Sequence, residues 1–263
     1  MEGIKNFIEE YGAKEAIIGF SEIIDKRKYF SIENNMIKRK EMNMALIAVA
    51  LLENNIDLVI EGFQKSIDKK ERQVIMKIDR MSNVSIEDLE EILFKLLYKN
   101  SFEHSLKYGK ELYFRDSEKF YDLISKFALM DNMDLRKPLL VSAFKKLEMK
   151  NDEIIYLLMS YLTKARSDYF YFENLVEKEI DRKEIKTRIK ILGEKLKTQE
   201  GLNLLQYLNL IEEKEDILTD KFYSIIELKL EKIEKEKIEK LKENKLDNIE
   251  EGLIEYFLSN IIL

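Results

Sequence analysis

Residues 102–129 read FEHSLKYGKELYFRDSEKFYDLISKFAL. Apolar residues recur at helical spacing on both sides of a polar break at Asp116, which predicts two helices joined by a short connection. Comparable breaks follow at Lys150, Glu184 and Asp216, at intervals of about 34 residues. A pair of helices at each interval predicts an all-α protein in which helical hairpins stack side by side.

The composition supports this fold class. The chain has 263 residues but only 8 Gly and 1 Pro, the residues that most often interrupt helices. We therefore predict a right-handed α-solenoid of stacked antiparallel helical hairpins over residues 1–217. Glu and Lys alternate from Lys229 to Asn244 and support a solvated helix through pairs four residues apart. Residues 218–263 are thus predicted to form a long charged helix followed by a terminal capping helix.

Two further patterns resemble the tetratricopeptide repeat. Gly109 and Ala128 stand 19 residues apart, as do the small residues at which the helices of that repeat cross, and residues 150–155 (KNDEII) resemble its turn. Tyr121 and Ile155 occupy positions where the family has alanine, and its tryptophan and terminal proline are missing. The resemblance spans about residues 40–230 and implies a superhelical binding groove. A HEAT-like hairpin repeat remains an alternative.

Residues that carry enzymatic chemistry are scarce. The chain has no Cys, and its single histidine, His104, lacks the arginine five to seven positions upstream that one class of helical ribonucleases requires. No glycine-rich phosphate-binding motif occurs. We therefore expect a non-catalytic protein with no cofactor and no metal, and a structural or surface role for His104. The remaining catalytic alternative is a carboxylate–metal phosphohydrolase that uses the acidic clusters at 87–91 and 212–216.

Aromatic density indicates a binding surface instead. Of 27 Phe and Tyr residues, 16 lie between Phe94 and Phe172, including the run Tyr169-Phe170-Tyr171-Phe172. Four successive aromatic side chains on a helix point in different directions, so they cannot all enter one core. The alternative is that neighbouring helices bury all of them. The predicted partner-binding residues are Tyr169, Tyr171, Phe172, Arg182, Lys183, Lys186 and Lys190.

A competing hypothesis is nucleic-acid binding by a regulator or inhibitor of a nucleic-acid-processing machine. Two basic segments support it, Lys26–Lys40 and Arg182–Lys190, the second of which lies beside the aromatic run. The net charge of −6 argues against a dedicated binder of duplex DNA.

We expect a cytoplasmic location without membrane association. Met1–Lys5 lacks the basic start of a secretory signal, and the apolar run Met44–Leu52 is much shorter than the roughly 20 residues that span a bilayer. A protein or peptide partner is therefore the leading expectation. The sequence leaves the oligomeric state open.

Overall fold

The computed structural model describes residues 2–25, 30–39, 44–67, 81–131, 136–148, 151–164, 167–175, 180–196, 198–212, 219–235 and 246–260. Within these ranges the elements are helical apart from one short β-hairpin, which confirms the all-α prediction in its coarse form. The early helices are α1 (Glu2–Tyr11), α2 (Ala13–Gly19), α3 (Met44–Leu51), α4 (Ile56–Ser66), α5 (Ile86–Tyr98), α6 (Phe102–Arg115) and α7 (Ser117–Met130). The later ones are α8 (Lys137–Leu147), α9 (Asp152–Lys164), α10 (Phe170–Asn174), α11 (Arg182–Leu196), α12 (Gln199–Glu212), α13 (Thr219–Lys235) and α14 (Asn248–Asn260).

The chain divides into two compact units. The first comprises Met1–Phe127 and Leu140–Arg166, and the second comprises Ala128–Leu139 and Ser167–Leu263. The division after residue 217 that the sequence indicates is a different one and stays a prediction.

The first unit contains the hairpin that the sequence analysis missed. Strands β1 (Phe30–Glu33) and β2 (Met36–Arg39) pair antiparallel, with Glu33 opposite Met36. The two loop residues, Asn34 and Asn35, both have positive φ, at 51° and 61°. This geometry is that of a type I′ turn, whose twist suits a tight hairpin and which asparagine tolerates.

The most buried helix of the first unit is α3, which is buried from Ala45 to Leu51 and packs on α2 and α4. A glycine in α4 permits the close approach of α4 to α3. A Cβ added to Gly62 would lie 3.2 Å from both the carbonyl oxygen of Met44 and the Cβ of Ala48. A larger residue at position 62 would therefore push these two helices apart.

Helix α5 begins directly after Ser85, a residue type that favours helix N-termini. The Ser85 hydroxyl accepts a hydrogen bond from the Asp88 backbone N–H at 3.1 Å, which satisfies one of the free donors of the first turn. Helix α6 packs on α5 and also on α9. At the latter contact, a Cβ on Gly109 would lie 3.0 Å from Met159 Cε. Gly109 is thus a close-packing position, with Phe120 of α7 as a further neighbour, and its correspondence to the helix crossing of a repeat stays a prediction.

The second unit is organised around α12, which packs against α11, α13 and α14. Leu205, Tyr207 and Leu208 of α12 are fully buried, and Leu253 and Phe257 bury the apolar face of α14. The terminal helix is therefore part of this core. The predicted continuation of the charged helix to Asn244 lies outside the described residues beyond Lys235.

These contacts identify helical hairpins at α3–α4, α5–α6 and α11–α12, together with one packing between α6 and α9, which are distant in sequence. The sequence analysis pairs residues 102–114 with residues 117–129, and this pairing stays a prediction. Regular solenoid stacking and its handedness stay predictions.

Candidate partner-binding site

The short helix α10 carries the most exposed aromatic pair of the second unit among the described residues. The Phe170 side chain is 64% exposed and that of Tyr171 is 49% exposed. Their rings meet edge to face, with centroids 6.0 Å apart and planes at 84°. Such a pair exposes a large apolar area while each ring restricts the motion of the other, which favours partner binding.

The other two residues of the aromatic run point towards the protein. Tyr169 is 7% exposed, so its ring is buried, and its predicted contact with a partner stays a prediction. Phe172 is half-buried and stacks on Phe222, with centroids 5.8 Å apart and planes at 25°. The Lys221 ammonium lies 4.3 Å from the centre of the Phe172 ring and covers it.

The division within the run has a simple geometric cause. Tyr169 and Phe172 are three positions apart and share one face of a helical turn, whereas Phe170 and Tyr171 occupy the opposite side. Phe170 was absent from the residues predicted from sequence, because the three-residue spacing groups the rings by face but does not show which face is exposed. The structure thus separates two inward rings from two outward ones.

The predicted basic face of α11 contacts acidic residues on neighbouring helices. The Arg182 guanidinium pairs with Asp220 of α13 at 2.7 Å and lies over the Tyr223 ring, 5.4 Å from its centre. The Lys186 ammonium pairs with Glu212 of α12 at 2.6 Å. These two cations therefore join helices and are not free for an outside partner.

Arg188, which the site prediction did not include, also pairs with an acid of a neighbouring helix. It donates two hydrogen bonds to Glu234 of α13, at 2.6 and 3.2 Å. The hydrogen bond to Glu234 is the main reason why the pKa of Arg188 is raised. Lys183 is exposed and Lys190 is half-buried, and within the described part of the chain neither pairs with an acid.

Glu212 also accepts a hydrogen bond from the Tyr223 hydroxyl. Burial raises the pKa of Tyr223, and this hydrogen bond raises it further. The carboxylate of Glu212 is therefore shared between Lys186 and Tyr223, which fixes α11, α12 and α13 against one another.

The structure describes part of the acidic clusters and of the first basic segment, together with His104. Glu87 and Glu90 both contact Lys119, at 3.2 and 3.3 Å, and among the described residues no group of three or more potential ligands can hold a metal ion. Residues 213–216 of the second acidic cluster lie outside the described residues. In the basic segment Lys26–Lys40, the only side chains described are those of Asn34, Asn35 and Met36. His104 is exposed, as expected, with its Nδ1 3.3 Å from the Ser101 hydroxyl.

Comparison with protein-family models, with curated proteins and with solved structures found no match to this chain. No helix in the described ranges combines the length and the apolar character needed to cross a membrane.

Proposed function

We propose that this chain is a non-catalytic scaffold or regulator that binds a protein or an extended peptide through a helical-repeat surface. The observation that carries the proposal is the exposed edge-to-face pair of Phe170 and Tyr171 on a helix whose neighbouring rings are packed inward. Burying one such ring at an interface contributes about 1.5–3 kcal/mol, so two adjacent rings can anchor a peptide.

The inward residues support this role by holding the helix that presents the pair. Stacking of Phe172 on Phe222 attaches α10 to α13, and the Lys221 ammonium closes over the same ring. An anchored aromatic pair loses little conformational entropy on binding, which improves affinity. The partner contacts therefore centre on Phe170 and Tyr171, and within the described part of the chain Lys183 is the exposed, unpaired cation among the residues predicted from sequence.

Nucleic-acid binding is the weaker proposal for the same surface. Phosphate recognition needs cations whose charge is available, and Arg182 and Lys186 are paired with Asp220 and Glu212. A tetratricopeptide-like groove and a cytoplasmic location remain part of the leading proposal.

The test is a selection of short random peptides displayed on phage against the full chain. Bound peptides are counter-selected on a Phe170→Ala/Tyr171→Ala variant, and their affinities are measured by fluorescence anisotropy. Peptides that bind the natural chain and lose affinity for the variant support the proposal.

The matched control is Tyr11→Ala, which removes an exposed tyrosine that lies against Phe7 in the first unit. This variant is expected to bind the selected peptides as the natural chain does. Failure to select any peptide, or equal binding to all three proteins, would contradict the proposed surface.

A further inference from the structure

A buried ion pair lies directly beside the segment that carries the exposed aromatic pair. The carboxylate of Asp131, at the end of α7, and the ammonium of Lys137, at the start of α8, are 2.8 Å apart. Their side chains are only 4% and 6% exposed. Removing two charges from water is costly, and similar apolar residues often give equal or greater stability, so stability alone is a weak explanation for such a pair.

Both partners of this ion pair also bind the segment that precedes α10. The Asp131 Oδ1 atom accepts a hydrogen bond from the Asp168 backbone N–H at 3.0 Å, while its Oδ2 atom faces Lys137. Lys137 in turn donates a hydrogen bond to the Ser167 hydroxyl. The ion pair therefore holds two consecutive residues, one through its backbone and one through its side chain.

The next contact leads to the exposed rings. The Asp168 Oδ1 atom accepts a hydrogen bond from the Phe170 backbone N–H at 3.0 Å, within the first turn of α10. The same helix is closed by a hydrogen bond from the Glu173 N–H to the Tyr169 carbonyl oxygen, also at 3.0 Å. A five-residue helix is too short to be stable alone, so its conformation depends on such outside contacts.

We infer that Asp131 and Lys137 form a charge clamp that sets the conformation of residues 167–170 and so positions Phe170 and Tyr171 for a partner. The clamp is a conformational device: when its charges are intact, the aromatic pair is held, and when either charge is lost, residues 167–174 are released while the remainder of the second unit stays folded. The link to a partner rests on the proposed function, whereas the positioning itself does not.

The test follows amide hydrogen exchange by mass spectrometry in the full chain and in Asp131→Asn. Asparagine is neutral and replaces one of the two carboxylate oxygens by an NH₂ donor, so it cannot balance the Lys137 charge and also keep both oxygen contacts of Asp131. Hydrogen bonds to charged groups contribute enough that exchange at residues 168–173 is expected to accelerate by about ten- to a hundredfold. Exchange in α12, at the centre of the same unit, is expected to accelerate by no more than the accompanying fall in the free energy of unfolding accounts for.

Two further variants keep the test decisive if Asp131→Asn does not fold. Ser167→Ala removes one acceptor of Lys137 without exposing a buried charge and is expected to give a smaller acceleration confined to residues 167–174. The double variant Asp131→Asn/Lys137→Met removes both charges. It is expected to regain the unfolding midpoint in urea that Asp131→Asn loses, while rapid exchange at residues 168–173 persists.

Lys110→Met is the matched control, because it breaks a partly buried ion pair with Asp152 in the first unit, 2.6 Å long. It is expected to leave exchange at residues 168–173 unchanged. Uniform acceleration of exchange through the whole second unit in every clamp variant would show that the ion pair is only a general stabiliser, and it would overturn the inference. Exchange rates at residues 168–173 that equal those of the natural chain in folded variants would overturn it as well.

Peptide binding separates this inference from the proposed function. Phage-selected peptides are expected to bind Ser167→Ala and the double variant more weakly, although Phe170 and Tyr171 are unchanged. If no peptide binds the natural chain, the proposed function fails, but the exchange result still decides whether the clamp exists. Local release without any loss of peptide affinity would refute the positioning role.

Discussion

The ring of Phe172 stacks on the ring of Phe222, and the two side chains that precede Phe172 in α10 face outward. Because Phe172 and Tyr169 occupy the inner side of the turn, Phe170 and Tyr171 are left on the outer side. One aromatic run therefore serves both the core and the surface. The predictions below start from this division.

The outward pair is expected to contribute to binding and little to stability. Phe170→Ala and Tyr171→Ala should each weaken binding of a phage-selected peptide by about tenfold or more, since truncating an interface anchor commonly costs over 1 kcal/mol. Their urea unfolding midpoints should stay close to that of the natural chain, because both rings are already exposed to water. Peptide titration and urea denaturation measure the two effects.

The inward pair is expected to behave in the opposite way. Tyr169→Ala should lower the free energy of unfolding by about 2–4 kcal/mol, and Phe172→Ala, which is less buried, by about 1–2 kcal/mol. A Tyr169→Ala variant with full stability and reduced peptide binding would show that Tyr169 contacts the partner and does not stabilise the core. Circular dichroism during urea denaturation decides between the two.

Two glycines on facing helices of the second unit should respond differently to alanine. A Cβ on Gly193 would lie 2.7 Å from Leu205 Cδ1, so Gly193→Ala should lower the free energy of unfolding by about 1–3 kcal/mol despite the better helix propensity of alanine. At Gly201 the nearest atom would be 3.5 Å away, an ordinary contact. Gly201→Ala should therefore be neutral or stabilise by up to about 1 kcal/mol, as measured by thermal and urea unfolding.

Glu111 is expected to make stability depend on acid pH. Burial of its carboxylate acts to raise its pKa, but hydrogen bonds from the Ser82 hydroxyl at 2.7 Å and the Ser82 N–H at 3.0 Å, with Arg115 at 3.1 Å, lower the pKa overall from 4.5. A lowered folded-state pKa stabilises the protein above the unfolded-state value, and this contribution disappears as the pH falls through the folded-state value.

Glu111→Gln should therefore cost about 1–3 kcal/mol at neutral pH, and the difference from the natural chain should shrink below about pH 4. Urea unfolding across this pH range provides the measurement. The control is Glu91→Gln, which alters an exposed pair with Lys95 and should leave stability nearly unchanged. A stability difference for Glu111→Gln that is constant with pH would refute the role of its charge.

Oligonucleotide binding is expected to be weak, and replacing Lys183 and Lys190 is expected to change it little. Labelled single-stranded DNA and RNA should show no tight complex at moderate salt, because Arg182 and Lys186 are neutralised by neighbouring carboxylates. Lys183→Glu/Lys190→Glu should then change little. Tight binding that falls steeply with salt and disappears in the double variant would favour the nucleic-acid hypothesis.

Helix ends depend on local causes that the sequence carries. Ser85 accepts the Asp88 amide at the third helical position of α5, and Pro138 lies in the first turn of α8, where its missing N–H removes no helical hydrogen bond. The β-hairpin was missed for a local reason as well. Asn34-Asn35 was not considered a turn signal, although asparagine readily adopts positive φ.

The site was predicted less well because it depends on distant residues. The basic residues Lys183, Lys186 and Lys190 share a face at helical spacing, but the sequence did not reveal that Glu212 on another helix would pair with Lys186. The sequence also did not predict the clamp between Asp131 and Lys137, because Asp131 binds a backbone N–H that lies 37 residues further along the chain.

The sequence by itself determined that this chain forms short amphipathic helices, because helix periodicity, capping and the near absence of proline act within a few residues. Tertiary structure alone decided which helices pack together, which rings of the run Tyr169–Phe172 face outward and which charges remain available. Those outcomes depend on burial and pairing between residues far apart in the chain, and no spacing along the sequence encodes them directly.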